Sequence, residues 1–373
     1  MLNSLVIKNY RNLKELTIPS LGRVNLITGK NNTGKSTVLE AVAIYATKGN
    51  FNSIKALLGE RGEILKQRNA NPTETNIKIL SSLFTNRIVG FNVADTISIG
   101  SLENTLFGKT LSTENCVSLR FVKYTDEIHV DEQGDRIRKR RLLQNDSEQI
   151  EGYNIGFALK TGCSSYVLPL DTERPFQFGT KGFKNTDDVQ FIRTRSMNRG
   201  TNGILFDDIA LTDKEQYVIE ALKIIEPFTE RIAFIGENTI ERRAVIKLSG
   251  SQSVLPLQSM GDGINRVLTI ILALVSAENG YLLIDEFENG LHYSVQEKLW
   301  TIIFELSKKL NTQVFVTTHS EDCIKGFESV LNQSASLSDG KLIRLDNING
   351  TIRQVEFDAH ELKIAKDQDI EIR

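Results

Sequence analysis

Residues Gly29, Lys30, Asn31, Asn32, Thr33, Gly34, Lys35, Ser36 and Thr37 follow the order G-x-x-x-x-G-K-[ST]. Gly29 and Gly34 permit backbone geometry that a side chain would obstruct, so successive N–H groups can converge on one phosphate. Lys35 is then placed for the β- and γ-phosphates of ATP and the Ser36 hydroxyl for a Mg²⁺ ion, with Asn31, Asn32, Thr33 and Thr37 completing the loop. Far along the chain, Asp285 and Glu286 close an apolar run, Tyr281 to Ile284. Asp285 suits Mg²⁺ through water, and Glu286 suits polarisation of an attacking water. His319 ends another apolar run, Gln313 to Thr318, where it could sense a γ-phosphate. Ser259 and Gly261 precede an apolar helical stretch, Val267 to Ser276, and form a second candidate anion site.

Each of these groups needs an element behind it. Val24 to Thr28 reads as a short strand leading into the phosphate loop, and Lys35 to Ala46 as the helix leaving it, with Val38, Leu39, Val42, Ala43 and Ala46 apolar. Residues 2 to 18 read as two strands joined at Asn9 to Asn12, which makes Arg11 a candidate contact to adenine or phosphate. Val189 to Ile192 reads as a central strand with Arg193 and Arg195 at its ligand-facing end. A helix is expected over Asp213 to Ile225, capped by Thr212 or Asp213, and another over Ser294 to Leu310, capped by Ser294. Ile232 to Ile235, Ala244 to Leu248, Lys341 to Leu345 and Thr351 to Phe357 read as strands, and a short helix starts near Ala359.

At 373 residues, 40 % apolar and 25 % charged, the chain can bury one large core or two modest ones. A formal charge of −2 argues against a uniformly basic nucleic-acid binder. The one dense basic cluster, Arg136 to Arg141, is flanked by acids and reads as a solvated hairpin. Cys116, Cys163 and Cys323 show no C-x-x-C spacing, so neither zinc nor a disulfide framework is implied and a reducing cytoplasm fits. The apolar run near Val267 is too short to span a bilayer, so no membrane is expected. The division that follows is an α/β ATPase core in two parts, 1–48 and 188–373. A helical and β-rich insertion, 49–187, separates the phosphate loop from the Ser259 segment.

The order of phosphate loop, insertion, Ser-Gly segment, strand-end Asp-Glu and strand-end His resembles the ATP-binding cassette ATPases. Gln258-Ser259-Met260-Gly261-Asp262 stands where their Leu-Ser-Gly-Gly-Gln signature belongs, keeping the serine and one glycine. Within that superfamily, Ile284 to His292, Thr317-Thr318-His319-Ser320 and Ile7 to Leu13 resemble the OLD (overcoming lysogenization defect) family. The resemblance implies an ABC-type P-loop NTPase fold with an N-terminal antiparallel β lobe. It also implies a homodimer, or an assembly of dimers, in which Ser259 and Gly261 of one subunit face the γ-phosphate held by Lys35 of the other. OLD nucleases carry a TOPRIM domain of on the order of 100 residues after the ATPase. Only 54 residues follow His319, so a separate nuclease or toxin is the expected effector. Stand-alone members of this kind are similar to ATPase subunits of anti-phage defence systems.

Nucleic acid stays open as a partner, because a RecF-like repair ATPase is the alternative reading. Salt-dependent and ATP-dependent DNA binding would favour it. A transporter motor and a small-molecule kinase are weaker alternatives, since no coupling partner is legible and the acid pair with His319 suits water attack.

Overall fold

The computed structural model describes residues 1–63, 71–105, 108–130, 136–143, 152–162, 164–171, 188–193, 199–236, 242–333 and 339–368. Arg195, Cys163 and Asp369 lie outside them, as do Asp131, Glu132, Asp135, Asp146 and Glu148 around the basic cluster. In chain order the first elements are β1 (Leu5–Tyr10), β2 (Leu13–Ile18), β3 (Val24–Gly29), α1 (Lys35–Ala46), α2 (Phe51–Glu60) and α3 (Pro72–Ser81). Then come β4 (Ile97–Thr105), β5 (Gly108–Val130), β6 (Arg136–Leu142), β7 (Asn154–Thr161), β8 (Ser164–Pro169) and β9 (Val189–Ile192). They are followed by α4 (Arg199–Asp207), α5 (Glu215–Leu222), β10 (Thr229–Ile235), β11 (Arg243–Leu248) and β12 (Val254–Pro256). The last stretch holds α6 (Asp262–Ser276), β13 (Tyr281–Ile284), α7 (Tyr293–Lys309), β14 (Gln313–Thr317), α8 (Glu321–Gln333), β15 (Gly340–Ile348), β16 (Thr351–Phe357) and α9 (Ala359–Asp367).

The site is built on a six-stranded sheet of order β16-β15-β3-β14-β13-β9, parallel except for β16. Its central strands are buried on both faces, and the two-residue period sorts their side chains into two cores. Val24, Leu26, Leu282, Ile284, Val314 and Val316 join one core with α6, α7 and α8. Ile27, Tyr281, Leu283 and Phe315 join the other with α1 and the N-terminal hairpin. Helix α1 is apolar almost all round, as a helix between two layers must be. Its far side meets a seven-stranded antiparallel sheet of order β2-β1-β4-β5-β7-β8, with β6 also on β5. Strands from the 49–187 segment therefore extend the N-terminal hairpin, and Phe84, Phe121 and Phe157 pack together beneath them with centroids 5.2 to 6.2 Å apart.

Several local expectations change. Among the described residues β9 is an edge strand that pairs only with β13, and its residues 189–191 are only half-buried. A four-residue run apolar at Val189, Phe191 and Ile192 cannot alone distinguish an edge from a centre when a helix covers one face. Helix α7 is capped by His292, whose ring accepts from the Ser294 N–H, rather than by Ser294. Helix α5 spans only Glu215–Leu222, with the Thr212 hydroxyl accepting from the Lys214 N–H before it. Helix α6 starts at Asp262, five residues before the apolar run begins, which brings Arg266 inside it. On the ribbon of β5 and β6, Arg140 and Arg141 pair with Asp126 and Glu127, so local acids take up that charge.

Candidate functional site

Parallel register brings the carboxyl ends of β3, β14 and β13 to one edge of the sheet. From β3 the chain enters the phosphate loop at Gly29, whose φ of 136° favours glycine and whose added Cβ would strike the Leu345 carbonyl. Gly34 (φ 91°) closes the loop, and the buried Thr33 hydroxyl donates to the Lys30 carbonyl at 2.8 Å. Lys35 Nζ donates to the carbonyls of Gly29 and Lys30 at 2.7 and 3.0 Å. Burial lowers its pKa to about 8, and the nearby Asp285, Glu288 and Glu286 only partly oppose that shift. A triphosphate beside the ammonium would favour its charged form.

From β13 comes Asp285, whose Oδ1 accepts from Ser36 Oγ at 2.9 Å and from Thr317 Oγ1 at 2.6 Å. A contact between residues 249 apart in sequence thus joins the phosphate loop to the acid pair. A serine hydroxyl beside a carboxylate is a hard-oxygen donor set that, with phosphate oxygens, fits Mg²⁺. Among the described residues no cluster of three His, Cys, Asp or Glu offers an all-protein metal cage, so phosphate oxygens would complete the set. Glu286 adopts a left-handed backbone (φ 51°) fixed by its N–H to Thr317 Oγ1 at 2.9 Å. Its Oε2 accepts from Asn289 Nδ2 at 2.7 Å. His319 follows β14 and is half-buried; burial and then Lys35 lower its pKa, so its imidazole is neutral at pH 7.

The expected residues fall into two groups. Arg11, Asn31, Asn32, Gly34, Lys35, Ser36, Thr37, Asp285, Glu286 and His319 line one cleft of about 1410 Å³. Arg11 sits at the turn of β1 and β2, where its Nε pairs with the buried Glu40 carboxylate at 2.8 Å. Tyr10 and Arg61 bond the same carboxylate, so helix α1 anchors this wall of the cleft. Ser259 and Gly261 do not line that cleft. Both are exposed; Ser259 Oγ donates to the Pro256 carbonyl at 2.7 Å, and Gly261 has open space where a Cβ would stand.

Four supporting residues were not singled out in the sequence. Thr317 braces Asp285 and Glu286 together. The Glu288 carboxylate accepts from Thr318 Oγ1 at 2.8 Å and from the His319 N–H at 2.7 Å, fixing the turn that carries the histidine. Glu40 holds Arg11. Arg266, fully buried, donates from Nη2 to the carbonyls of Asp285 and Glu286 at 3.2 and 3.0 Å. Charged residues in otherwise apolar helices, Glu40 and Arg266, were the readable signals.

Comparison with known proteins follows this geometry. A family model described as AAA ATPase domain matches residues 1–152 and 180–324. An "ATP/GTP phosphatase" of Helicobacter pylori is 25 % identical over 374 residues, covering 92 % of each chain. An uncharacterized protein of Methanocaldococcus jannaschii is 35 % identical over 98 residues, 23 % of this chain and 45 % of that one. In fold, the chain is similar to an Smc head solved with the C-winged helix domain of ScpA, at a TM-score of 0.50 and 13 % identity, covering 96 % and 98 % of the two chains. That likeness fits the ABC-type P-loop NTPase architecture of a mixed α/β core with an antiparallel lobe. Among the described residues no helix is long and apolar enough to cross a membrane. With the model spanning most of its length, this chain belongs to the AAA ATPase domain family and is an ATPase.

Proposed function

We propose that this ATPase is Mg²⁺-dependent and works as a homodimer or an assembly of dimers. Lys35 binds the β- and γ-phosphates, Ser36 and Asp285 hold the metal, and Glu286 polarises the attacking water. When bound, Mg²⁺ would neutralise phosphate charge. His319 reads the γ-phosphate, and Arg11 bounds the cleft on the nucleotide's other side. The observation that carries this assignment is the 2.9 Å bond from Ser36 to Asp285, which sets the acid pair beside the phosphate loop. The name of the Helicobacter pylori relative supports nucleoside-triphosphate hydrolysis and puts GTP beside ATP as a substrate to be assayed.

Dimerisation is supported by the exposed Ser259 and Gly261, which lie away from the cleft of their own subunit. A second copy would present them to the nucleotide held by the first. The motif resemblance supports reading the chain as an OLD-family ATPase that acts as a sensor or regulatory subunit in prokaryotic anti-phage defence. A separate nuclease or toxin would be its effector, and the cytoplasm its compartment. Glu286→Gln protein should bind ATP, pair with a second copy and turn over nothing. Parent-rate hydrolysis by that variant, read as phosphate release, would remove Glu286 from its role. Failure of any nuclease or toxin to co-purify with the ATP-trapped dimer would remove the defence assignment.

A further inference from the structure

Arg266 is, after Trp300, the largest side chain with essentially no exposed surface. A buried guanidinium is costly to desolvate and normally meets a carboxylate that offsets the cost. Arg266 instead gives one nitrogen, Nη2, to two successive main-chain carbonyls, those of Asp285 and Glu286, and the carboxylates of Glu288, Asp285 and Glu286 offset its burial only in part and from a distance. Its Nε and Nη1 are buried with no hydrogen-bond acceptor among the described residues. So unfavourable an arrangement in the first turns of α6 calls for a reason beyond stability.

The position of α6 supplies one. The helix begins at Asp262, with Gly261 as its N-cap directly after the exposed Ser259 turn, and its start touches the acid turn at two places. At the first, Gly263 comes so close to the Gly290 carbonyl that a Cβ there would stand 3.3 Å from it. At the second, Arg266 reaches the acid carbonyls. Both contacts are to main chain, so a shift of the helix start acts on the backbone that aims Glu286 rather than on its side chain. Glu286 already holds a left-handed backbone, a conformation that persists only while its surroundings enforce it.

We propose that Arg266 is a positioning residue that couples the Ser259–Gly261 turn to Glu286. Docking of that turn on nucleotide held by a second copy is transmitted through α6 to the water-activating carboxylate of its own subunit. Nε and Nη1, without acceptors among the described residues, leave the guanidinium able to exchange partners as the helix start moves. This inference rests on the proposed roles of Glu286 and the Ser259 turn.

The test compares Arg266→Met, Arg266→Lys and Ser259→Ala, singly and as the Arg266→Met/Ser259→Ala double variant, in the full-length protein. Arg266→Met is expected to keep ATP affinity within about threefold while kcat falls roughly 100-fold, the scale of a misaimed catalytic group. Its kcat should also lose dependence on protein concentration. Arg266→Lys, which retains a donor and a charge, should recover part of kcat. The double variant should be no slower than Arg266→Met, since both changes cut one linkage. Parent kcat in Arg266→Met, a raised KM at parent kcat, or multiplicative losses in the double variant would each overturn the inference. Should Arg266→Met not fold, the same criteria apply to Arg266→Lys, whose kcat must then fall with ATP affinity kept. Glu286→Gln serves as the control: if it turns over ATP, the underlying assignment fails; if it is dead while Arg266→Met is fully active, only the coupling fails.

Discussion

The acid turn after β13 and the turn before α6 both carry groups proposed to act on the nucleotide, yet they are held in opposite ways. Asp285, Glu286 and Glu288 take hydrogen bonds from Ser36, Thr317, Asn289, Thr318 and the His319 backbone. Ser259, by contrast, is exposed and bonds the carbonyl of Pro256 three residues earlier. Preorganised groups lose little freedom when they act, whereas an open turn gains its contacts only when something docks on it. The contrast teaches that the acid turn is fixed by bonds within the chain, whereas the Ser259 turn is presented outward.

The sharpest way to break that contrast is Lys35→Ala. Its ammonium is the group proposed to meet the β- and γ-phosphates, so without it ATP should bind about 100- to 10,000-fold more weakly by calorimetry, whatever the protein concentration. Glu286→Gln comes next, with kcat expected to fall about 1000-fold while ATP affinity persists. Thr317→Val keeps the shape but removes the brace shared by Asp285 and Glu286. It should lower kcat roughly 10- to 100-fold and cost about 1–3 kcal/mol of unfolding free energy, read by urea titration. Ser259→Ala is expected to have the smallest effect, a loss of about 3- to 10-fold in kcat that disappears from ATP-binding curves measured on dilute monomer. If Ser259→Ala instead weakened binding in the monomer, the outward-facing half would belong to the same cleft and the contrast would collapse.

The better-held region was also the more legible one. Gly29 to Thr37 and Asp285-Glu286 could be read because their chemistry demands fixed spacing along the chain, and α1 runs over the span its apolar pattern indicates. Thr317 and Glu288 could not be assigned in the same way, because each acts on neighbours dozens of positions away, and Arg266, though marked as a charge in an apolar helix, acts on main-chain atoms that leave no mark in sequence. β9 has the composition of an inner strand but lies at the rim, since periodicity reports which faces are covered and not how many strands flank them. The strands of residues 97–169 were visible as alternation, yet their continuation of the β1–β2 sheet rests on the long-range pairing of β1 with β4.

The position of β3 sets the timetable on which the chain can mature. Its sheet partners are β14 and β15, which begin at Gln313 and Gly340, so the strand feeding the phosphate loop has no neighbours to pair with until those distant strands have been synthesised. Gln313 also clasps the main chain of Leu2 and Gly22, closing the first residues onto that late strand. Contacts of such long sequence separation form slowly. Nascent chains stalled on the ribosome before Gln313 emerges should therefore retain no nucleotide, and the capacity should arise abruptly once β14 and β15 have emerged.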